Sequence, residues 1–499
     1  MNSRKVLKLL TSETLGIPNV LFLSSILAVL YFSLGFYTWK FVTVGDDWAT
    51  YNFAVDIAKK SLLINPFDMQ GVYRENPVLG SIYQAIFLKI FNYSHLAWRF
   101  SNIILIIPLS LFFFIWVKNS FNTNVAFLST LLLQTSFYLA NFFKIGYINP
   151  QALVLFLLAL MLAERLCHTF KKRYAVFLSI TLGLAFYIYI GPLFPIILWP
   201  YLIPFIKNRE TPRKKIVLLG IIVAIYFSLI IPGLLDFTNI ETVSTRTVLK
   251  KEYANNWQML INILHGFSLF YKNYDYFYNH FVSGPYLEVI TRILAFIGSY
   301  ICLRRILKKE YLIFMLIYLT TVTVITLTAP YAYSPTTRGI FYLPFGFLFA
   351  GIALNHLFKK TTQKLLIGAI IISVFLLNLY QSQLGVFKET GYTQSALIIK
   401  AMQEEKERVT SSKPRAFFLQ IDTAFQHDIS SNISYYQRHY DIKDMAFSHI
   451  PLSRLTCGML QNSLIITRAD ESQSINSFLG QFPCQAKTTI STIDPKIEL

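Results

Sequence analysis

Charged side chains are scarce in this chain of 499 residues, since Asp, Glu, Lys and Arg make up only 14% of it. Soluble globular proteins carry about 25% charged residues. Hydrophobic residues reach 54% and aromatic residues 16%, and apolar runs of roughly 18 to 23 residues recur along most of the length. Because a run of that length can cross a bilayer, the composition excludes an ordinary soluble enzyme and predicts a polytopic membrane protein.

Cysteine is also scarce, with four residues in the whole chain. Cys167 and Cys302 lie at the ends of apolar runs, whereas Cys457 and Cys484 share the polar C-terminal segment. The second pair could form a disulfide if that segment faces an oxidising compartment. No group of His, Cys and Asp has the spacing of metal ligands, so the sequence predicts neither a metal nor another cofactor.

Acidic residues are outnumbered by basic ones, which gives a net charge of +19. The basic residues fall in short clusters between apolar runs, and this is the positive-inside pattern of membrane proteins, so no nucleic-acid partner is required. The clusters expected on the cytoplasmic side are Arg4/Lys5/Lys8, Lys118, Lys171/Lys172/Arg173, Lys207 to Lys215, Arg304/Arg305/Lys308/Lys309 and Lys359/Lys360/Lys364.

The apolar runs between these clusters predict about eleven spans, with the N-terminus inside and the C-terminus outside. A further apolar run, residues 78–92, is too short to cross and is predicted to be an interfacial or re-entrant helix. Gly191-Pro192 predicts a tight outer hairpin. The predicted spans are residues 19–39, 95–117, 121–142, 149–167, 174–190, 191–206, 215–235, 284–303, 311–329, 338–357 and 363–382.

The predicted fold is therefore an all-α polytopic membrane domain, residues 1–382, followed by a small outer mixed α/β domain, residues 383–499. The membrane domain has two long outer loops, residues 41–94 and 236–283, the first of which is expected to contain juxtamembrane helices. In the C-terminal segment the runs PRAFFLQID and NSLIITRAD predict strands.

Two adjacent acids, Asp46 and Asp47, stand in the first outer loop, close to the end of the first span. Two interpretations are compatible with each other. The acids can cap a helix and complement its dipole, or one of them can act as a general base at the boundary between water and lipid. Apolar residues after them recur at helical spacing and predict a helix lying flat on the membrane: Trp48, Tyr51, Val55, Ala58 and Leu62.

Four further segments follow in a characteristic order: YRENPVLGSIYQAIFLKIFNYSHLAWRFSN, YINPQALVLFLLALMLAER, LGLAFYIYIGPLF and SPTTRGIFYLPFGFLFAGIAL. With the acid pair, they resemble the GT-C glycosyltransferases that use polyprenyl-phosphate sugars, in the branch of the protein O-mannosyltransferases and the lipid A aminoarabinose transferases. The resemblance covers about residues 19–380 and rests on the order and topology of the motifs.

This resemblance implies a GT-C-like fold and an inverting transfer of a hexose or pentose from a polyprenyl-phosphate donor to an acceptor hydroxyl on the outer face. By position, Asp46 matches the family's catalytic Asp and is the expected general base, and Asp47 matches the neighbouring acid. Arg99 matches the Arg that opens the second span, and Arg338 matches the late Arg close to the lipid phosphate. Arg338, with Arg74 or Arg99, is expected to hold the donor phosphate through charge-assisted hydrogen bonds.

The chain departs from the family pattern at two places. The family's lysine before Pro-Pro is Asn76 here, and Arg74 is the expected substitute as a phosphate contact. Where many members carry an Asp at the start of a later span, this chain has Asn149, Pro150 and Gln151. A second carboxylate is therefore missing, which argues against a metal site, because hard cations prefer clustered carboxylate oxygens.

Alternatives remain open at this stage. Arg338 at a span end also fits a snorkelling residue, and Arg99 also fits a partner of Glu75 or of the acid pair. A lipid-linked sugar flippase would favour ionisable residues or broken helices near the midplane, and an O-antigen-type polymerase or ligase would carry a large outer loop late in the chain.

The position of the acids directly after the first span favours the glycosyltransferase, in a plasma membrane. Its expected partners are the donor, membrane lipids and an acceptor that is protein, lipid or glycan.

Overall fold

The structure is a computed structural model of the chain. It describes residues 17–38, 45–60, 64–72, 77–92, 95–144, 146–235, 256–271, 273–274, 284–328, 336–357 and 364–384, and, nearer the C-terminus, 416–420, 446–448, 456, 463–468, 477 and 489–493.

Helices dominate these residues, as the long apolar runs predict. In chain order they are α1 (Ile17–Thr38), α2 (Gly45–Lys60), α3 (Leu79–Ile90), α4 (His95–Ile103), α5 (Ile106–Ser120), α6 (Thr123–Gln134), α7 (Phe137–Lys144), α8 (Asn149–Thr169), α9 (Lys172–Phe186), α10 (Phe194–Ile197), α11 (Leu202–Lys207), α12 (Pro212–Leu235), α13 (Asn256–Ser268), α14 (Val289–Arg304), α15 (Lys309–Leu327), α16 (Thr336–Gly339), α17 (Leu343–Leu357) and α18 (Lys364–Leu384).

Several helices have the length and composition of membrane spans. Among the described residues, four stretches qualify by themselves: Ala97–Ser120, which covers most of α4 and all of α5, and the helices Asn149–Thr169, Pro212–Leu235 and Lys309–Leu327. The pair α6 and α7, bent by 54°, adds a fifth if the two count as one span. The protein is thus a helical membrane protein, whereas the count of eleven spans and the orientation of the termini stay predictions.

The span predicted at residues 121–142 is broken between α6 and α7. The amide of Phe137, which opens α7, donates to Oδ1 of Asn378 in α18 at 3.0 Å. At the end of α6, the hydroxyl of Thr135 donates to the carbonyl of Leu132 at 3.2 Å. The break is tolerated in an apolar interior because side chains pair the backbone groups that the ladder leaves free.

The stretch predicted as one span at residues 191–206 is not a continuous helix, and whether it crosses the membrane stays a prediction. This stretch consists of the 3₁₀ turns Gly191–Leu193 and Trp199–Tyr201 with the short helices α10 and α11. Prolines recur through it and remove the amide hydrogens that a continuous helix needs: Pro192, Pro195, Pro200 and Pro204. The turn predicted at Gly191-Pro192 is present.

Two helices of the loop predicted at residues 41–94 lie at the positions that the sequence predicts. The helix predicted at the acid pair is α2, whose first turn contains both acids, and Val55 and Ala58 on its predicted apolar side are each 3% exposed. Its orientation flat on the membrane stays a prediction. The short apolar run at residues 78–92 forms α3, whose 12 residues are too few to cross a bilayer alone.

The buried core of the helical part is rich in aromatic side chains. Phe314 of α15 stacks on Phe345 of α17, with ring centroids 5.8 Å apart. Trp116 of α5 packs edge-on against Phe345 and donates its indole N–H to the hydroxyl of Tyr201 at 2.7 Å. These contacts tie the helices α5, α15 and α17 together and give the indole the partner that a buried donor requires.

Strands occur toward the C-terminus. Strands β3 (Ala416–Gln420), β4 (Ala446–Ser448), β5 (Ser463–Arg468) and β6 (Thr489–Ile493) form a parallel sheet in the order β4-β3-β5-β6. Strands β3 and β5 are the two runs that the sequence predicts. An earlier antiparallel pair joins β1 (Asn273–Tyr274) to β2 (Gly284–Pro285).

The chain divides into two compact units. One comprises Met1–Gly35 and Ala54–Gly385, and the other comprises Phe36–Phe53 and Val386–Leu499. The mixed α/β character of residues 383–499 stays a prediction, because the helices expected between the strands lie outside the described residues, as do Cys457 and Cys484.

Gly298 provides a test of the packing between α14 and α17. A methyl group at Gly298 would overlap the backbone carbonyl oxygen of Phe349, which cannot move away as a side chain can. We expect Gly298→Ala to lower the free energy of unfolding in detergent by about 1 to 3 kcal/mol.

The matched control for Gly298→Ala is Gly220→Ala. An added methyl group there meets no described atom within 4 Å, so stability should hold or rise by about 0.5 to 1 kcal/mol. Equal losses in the two variants would contradict the packing argument.

Candidate functional site

Three buried side chains hold the loop between α7 and α8. Nε2 of Gln84 donates to the carbonyl of Gly146 at 2.6 Å, and Nδ2 of Asn102 donates to the carbonyl of Tyr147 at 2.6 Å. Nη1 of Arg99 donates to the carbonyl of Lys144 at 2.9 Å. All three side chains are 0% exposed. They pair the carbonyl of the last residue of α7 and two carbonyls of the loop that follows it.

Close contact of backbone and rings fixes this loop further. A side chain on Gly146 would overlap the indole of Trp98, so the loop backbone lies directly on that ring. Nε2 of Gln151 donates to the carbonyl of Gly80 at 3.2 Å and ties the start of α8 to α3. The residue found near the family's second Asp position therefore has a structural contact here.

Tyr147 joins the loop between α7 and α8 to the turn after α9. Its ring meets that of Tyr189 edge-on, with centroids 6.2 Å apart. Tyr189 has a φ of 45°, in the left-handed region that a bulky residue seldom adopts. In the same turn, a side chain on Gly191 would overlap the carbonyl of Ala185. The turn therefore requires glycine at position 191 and presents Tyr189 in a constrained conformation.

The hydroxyl of Tyr189 reaches Arg338 in α16. Nε of Arg338 donates to it at 3.3 Å. Nη1 of the same guanidinium is buried and has no hydrogen-bond partner among the described residues. The adjacent Gly339 lies on the ring of Tyr286, which stacks on Tyr138 with centroids 4.3 Å apart. Arg338 is thus held by an aromatic frame, and its Nη1 donor meets no acceptor in the part of the chain that the structure describes.

The structure describes the side chains of some of the predicted site residues and not of others. Asp46 and Asp47 lie in the first turn of α2, and their side chains fall outside the described residues. Arg74 lies outside the described residues. Arg99 is buried and joined to the loop after α7, and Arg338 is half-buried. The contacts described above connect Arg99 to Arg338 through Tyr147 and Tyr189.

Sequence reasoning missed the amides and tyrosines that make this connection. Gln84 stands among apolar residues, and that isolation was the available signal, since a polar side chain in an apolar helix needs an internal partner. Asn102 follows Arg99 and Ser101 and carries no such signal. Sequence reasoning also missed Lys144, a second buried cation, which donates to Oδ1 of Asn141 at 3.2 Å. Among the described residues, no three His, Cys, Asp or Glu side chains are grouped to hold a metal ion.

Residues 75–234 match the family model of the dolichyl-phosphate-mannose-protein mannosyltransferases. The resemblance to the GT-C glycosyltransferases is confirmed. The matched stretch contains Gln84, Arg99, Asn102, Tyr147 and Tyr189, and it ends before Arg338. Among curated protein sequences, none matches this chain.

Solved structures show the same fold. The archaeal oligosaccharyltransferase AglB from Archaeoglobus fulgidus, in complex with an inhibitory peptide and a dolichol-phosphate, is 12% identical with a TM-score of 0.55. The match covers 83% of this chain and 63% of AglB, so the chain spans less than two thirds of that protein. The Archaeoglobus fulgidus enzyme tethered to an acceptor peptide is 14% identical with a TM-score of 0.52, over 88% of this chain and 64% of that one.

ArnT from Cupriavidus metallidurans, bound to undecaprenyl phosphate, matches 90% of this chain and 94% of its own at 9% identity. Its TM-score is 0.49, and no conclusion rests on this weaker likeness.

Removal of the amide contacts should loosen the loop between α7 and α8. We expect Gln84→Leu and Asn102→Leu each to lower the free energy of unfolding by about 1 to 3 kcal/mol, because a buried carbonyl loses its partner. Ser228→Ala is the control. The Ser228 hydroxyl is exposed and donates to the carbonyl of Ala224 in the same helix, so its removal leaves no buried group without a partner. Denaturant titration in detergent measures all three, and a loss confined to Ser228→Ala would contradict the prediction.

Proposed function

We propose that this protein transfers a hexosyl or pentosyl residue from a polyprenyl-phosphate donor to an acceptor hydroxyl on the outer face of the plasma membrane. The observation that carries the proposal is the buried Nη1 of Arg338 without a hydrogen-bond partner among the described residues. It lies in the segment that the resemblance assigns to the lipid phosphate. The fold shared with AglB, whose structure holds a dolichol-phosphate, supports a lipid-phosphate donor.

A phosphate is the partner that this guanidinium fits. Burying a cation without an acceptor is costly, and an arginine fork donates to phosphate oxygens through strong charge-assisted hydrogen bonds. The bond from Nε to Tyr189 orients the fork and leaves Nη1 for the ligand. Arg338 would stabilise the negative charge that develops on the departing phosphate.

Arg99 and Arg74 have different parts in this proposal. Arg99 is fully buried and bonded to the carbonyl of Lys144, so we assign it the positioning of the loop that carries Tyr147. Arg74 stays the candidate for a second contact to the donor phosphate, in place of the lysine that the family carries where this chain has Asn76.

Asp46 is the proposed general base and Asp47 the group that orients the acceptor. Both belong to the first turn of α2, where the helix dipole favours the ionised carboxylate that a base must be. The acceptor oxygen attacks the anomeric carbon as the bond from that carbon to the phosphate oxygen breaks. The hydroxyl proton passes to Asp46, polyprenyl phosphate leaves with the bonding electrons, and the anomeric configuration inverts.

Replacement of the base tests the assignment of Asp46. We expect Asp46→Asn to lower kcat by about 10²- to 10⁴-fold, the usual contribution of a general base, in a variant that stays folded. Transfer from radiolabelled polyprenyl-phosphate sugars to extracted membrane acceptors measures the rate.

The matched control is Asp56→Asn, which makes the same chemical change farther along α2 and should keep most of the activity. Full activity of Asp46→Asn would move the base to Asp47. Absence of transfer from every donor by the wild type would overturn the proposed function.

Replacement of Arg338 tests the phosphate contact. We expect Arg338→Gln to lower kcat/KM for the donor by about 10- to 100-fold, the loss of a charge-assisted hydrogen bond, with Arg338→Lys recovering part of it. Arg304→Gln is the control, because Arg304 is exposed at the far end of α14. The kcat/KM of each variant is measured by titrating the donor at saturating acceptor. Equal losses in Arg338→Gln and Arg304→Gln would contradict the assignment.

A further inference from the structure

A polar cavity lies toward the opposite end of α17 from Arg338. It has a volume of about 370 Å³ and is lined by the ends of α5, α8, α14, α15 and α17. Arg338 precedes α17, whereas His356 near the end of α17 lines the cavity. The 15 residues of α17 separate the two by about 22 Å at the rise of an α-helix. The cavity is therefore distinct from the site proposed for sugar transfer.

The cavity presents two cations and an ordered set of polar groups. Nη1 of Arg305 donates to the hydroxyl of Tyr311 at 3.2 Å, and its Nη2 lies 3.1 Å from Nδ1 of His356. These contacts direct the guanidinium along the cavity wall. Lys309, at the first position of α15, is exposed and lines the same space. An anion here would meet Arg305, Lys309 and the first amides of a helix.

Other lining groups suit a hydroxylated molecule. Nδ2 of Asn119 is buried without a hydrogen-bond partner among the described residues. Glu164 is 8% exposed and holds Nε2 of His168 at 2.6 Å, which leaves carboxylate lone pairs for a hydroxyl donor. An inorganic phosphate would use the cations but not these groups.

An apolar cavity of about 200 Å³ adjoins the polar one. Cys167 and Tyr201 line both cavities, so the two spaces meet at these residues. The apolar cavity is otherwise lined by side chains such as Leu166, Leu182 and Leu198, and its rim residues Trp199 and Leu202 are 43% and 45% exposed. The apolar cavity thus has exposed apolar side chains at its rim and lies beside a polar cavity that contains cations. This pair of cavities matches a molecule with a hydrocarbon chain and an anionic head.

We infer that these two cavities bind one anionic glycerophospholipid, with its phosphate at Arg305 and Lys309, its hydroxylated headgroup beside Asn119 and Glu164, and an acyl chain in the apolar cavity. Arg305 and Lys309 belong to a basic cluster that is predicted to face the cytoplasm. Anionic lipids of the cytoplasmic leaflet collect beside such clusters. A polyprenyl phosphate has the same phosphate but no hydroxylated headgroup for Asn119 and Glu164, so a phospholipid such as phosphatidylglycerol is the favoured occupant.

The test is lipid binding to the delipidated full-length protein in detergent, measured by native mass spectrometry. The probes are phosphatidylglycerol, phosphatidylcholine, undecaprenyl phosphate and inorganic phosphate. We expect phosphatidylglycerol to bind about tenfold or more tightly than each of the others. The double variant Arg305→Gln/Lys309→Gln should lose about 10- to 100-fold of this affinity.

Each variant has a neighbouring control. Arg304→Gln and Lys308→Gln remove exposed cations next to the cavity residues but outside the lining, and should change the affinity less than about twofold, as surface charges do. The single variant Lys309→Gln changes only one exposed side chain and can replace the double variant if that protein fails to fold. Its affinity for phosphatidylglycerol should fall by about threefold to tenfold.

The apolar cavity is tested separately. Leu202→Gln, at its rim, should weaken phosphatidylglycerol several-fold, whereas Ile206→Gln, 65% exposed and outside the lining, should not. Equal binding by the wild type, the double variant and Lys309→Gln would overturn the inference, as would equal losses in the Arg304 and Lys308 controls or tighter binding of undecaprenyl phosphate. Sugar transfer is not measured, so failure here leaves the proposed function untouched.

Discussion

The pairing of backbone groups at helix breaks is the constraint on which the rest of this membrane unit depends. In an apolar interior, a carbonyl or amide that leaves the helical ladder must find a partner within the protein. Asn378 supplies one at the start of α7, and Gln84, Arg99 and Asn102 supply three in the loop that follows it. The few buried polar side chains therefore determine where a helix can end and where its loop must lie.

The rigid loop has a chemical consequence at its far end. Tyr147 meets Tyr189, and Tyr189 accepts a hydrogen bond from Arg338. Arg338 is therefore oriented by groups that are themselves fixed. On the proposed function, this would lower the reorganisation needed when charge develops on a bound phosphate. On the proposed function, most of the polar residues near this site serve to aim one guanidinium rather than to touch the donor.

The two ends of the helical unit use arginine differently. Arg338 has its Nη1 donor free of described partners, and this matches a ligand that arrives and departs during turnover. Arg305 engages Tyr311 and His356 through both terminal nitrogens, and the lipid that we infer would supply its further acceptors. Long helices such as α8 and α17 run between these ends, so lipid bound at one end can brace the frame that supports the other.

The sequence by itself determined the membrane class, the helix after the acid pair, the short helix α3, two strands of the C-terminal sheet and the Gly191-Pro192 turn, because hydropathy, periodicity and turn residues are local signals. The order of motifs also determined the resemblance to the GT-C glycosyltransferases. Only the tertiary structure decided that Arg99 braces a loop, that Tyr189 holds Arg338 and that prolines divide residues 191–206. Those outcomes depend on contacts between residues far apart in the chain, and local signals do not encode which partner a buried polar group will find.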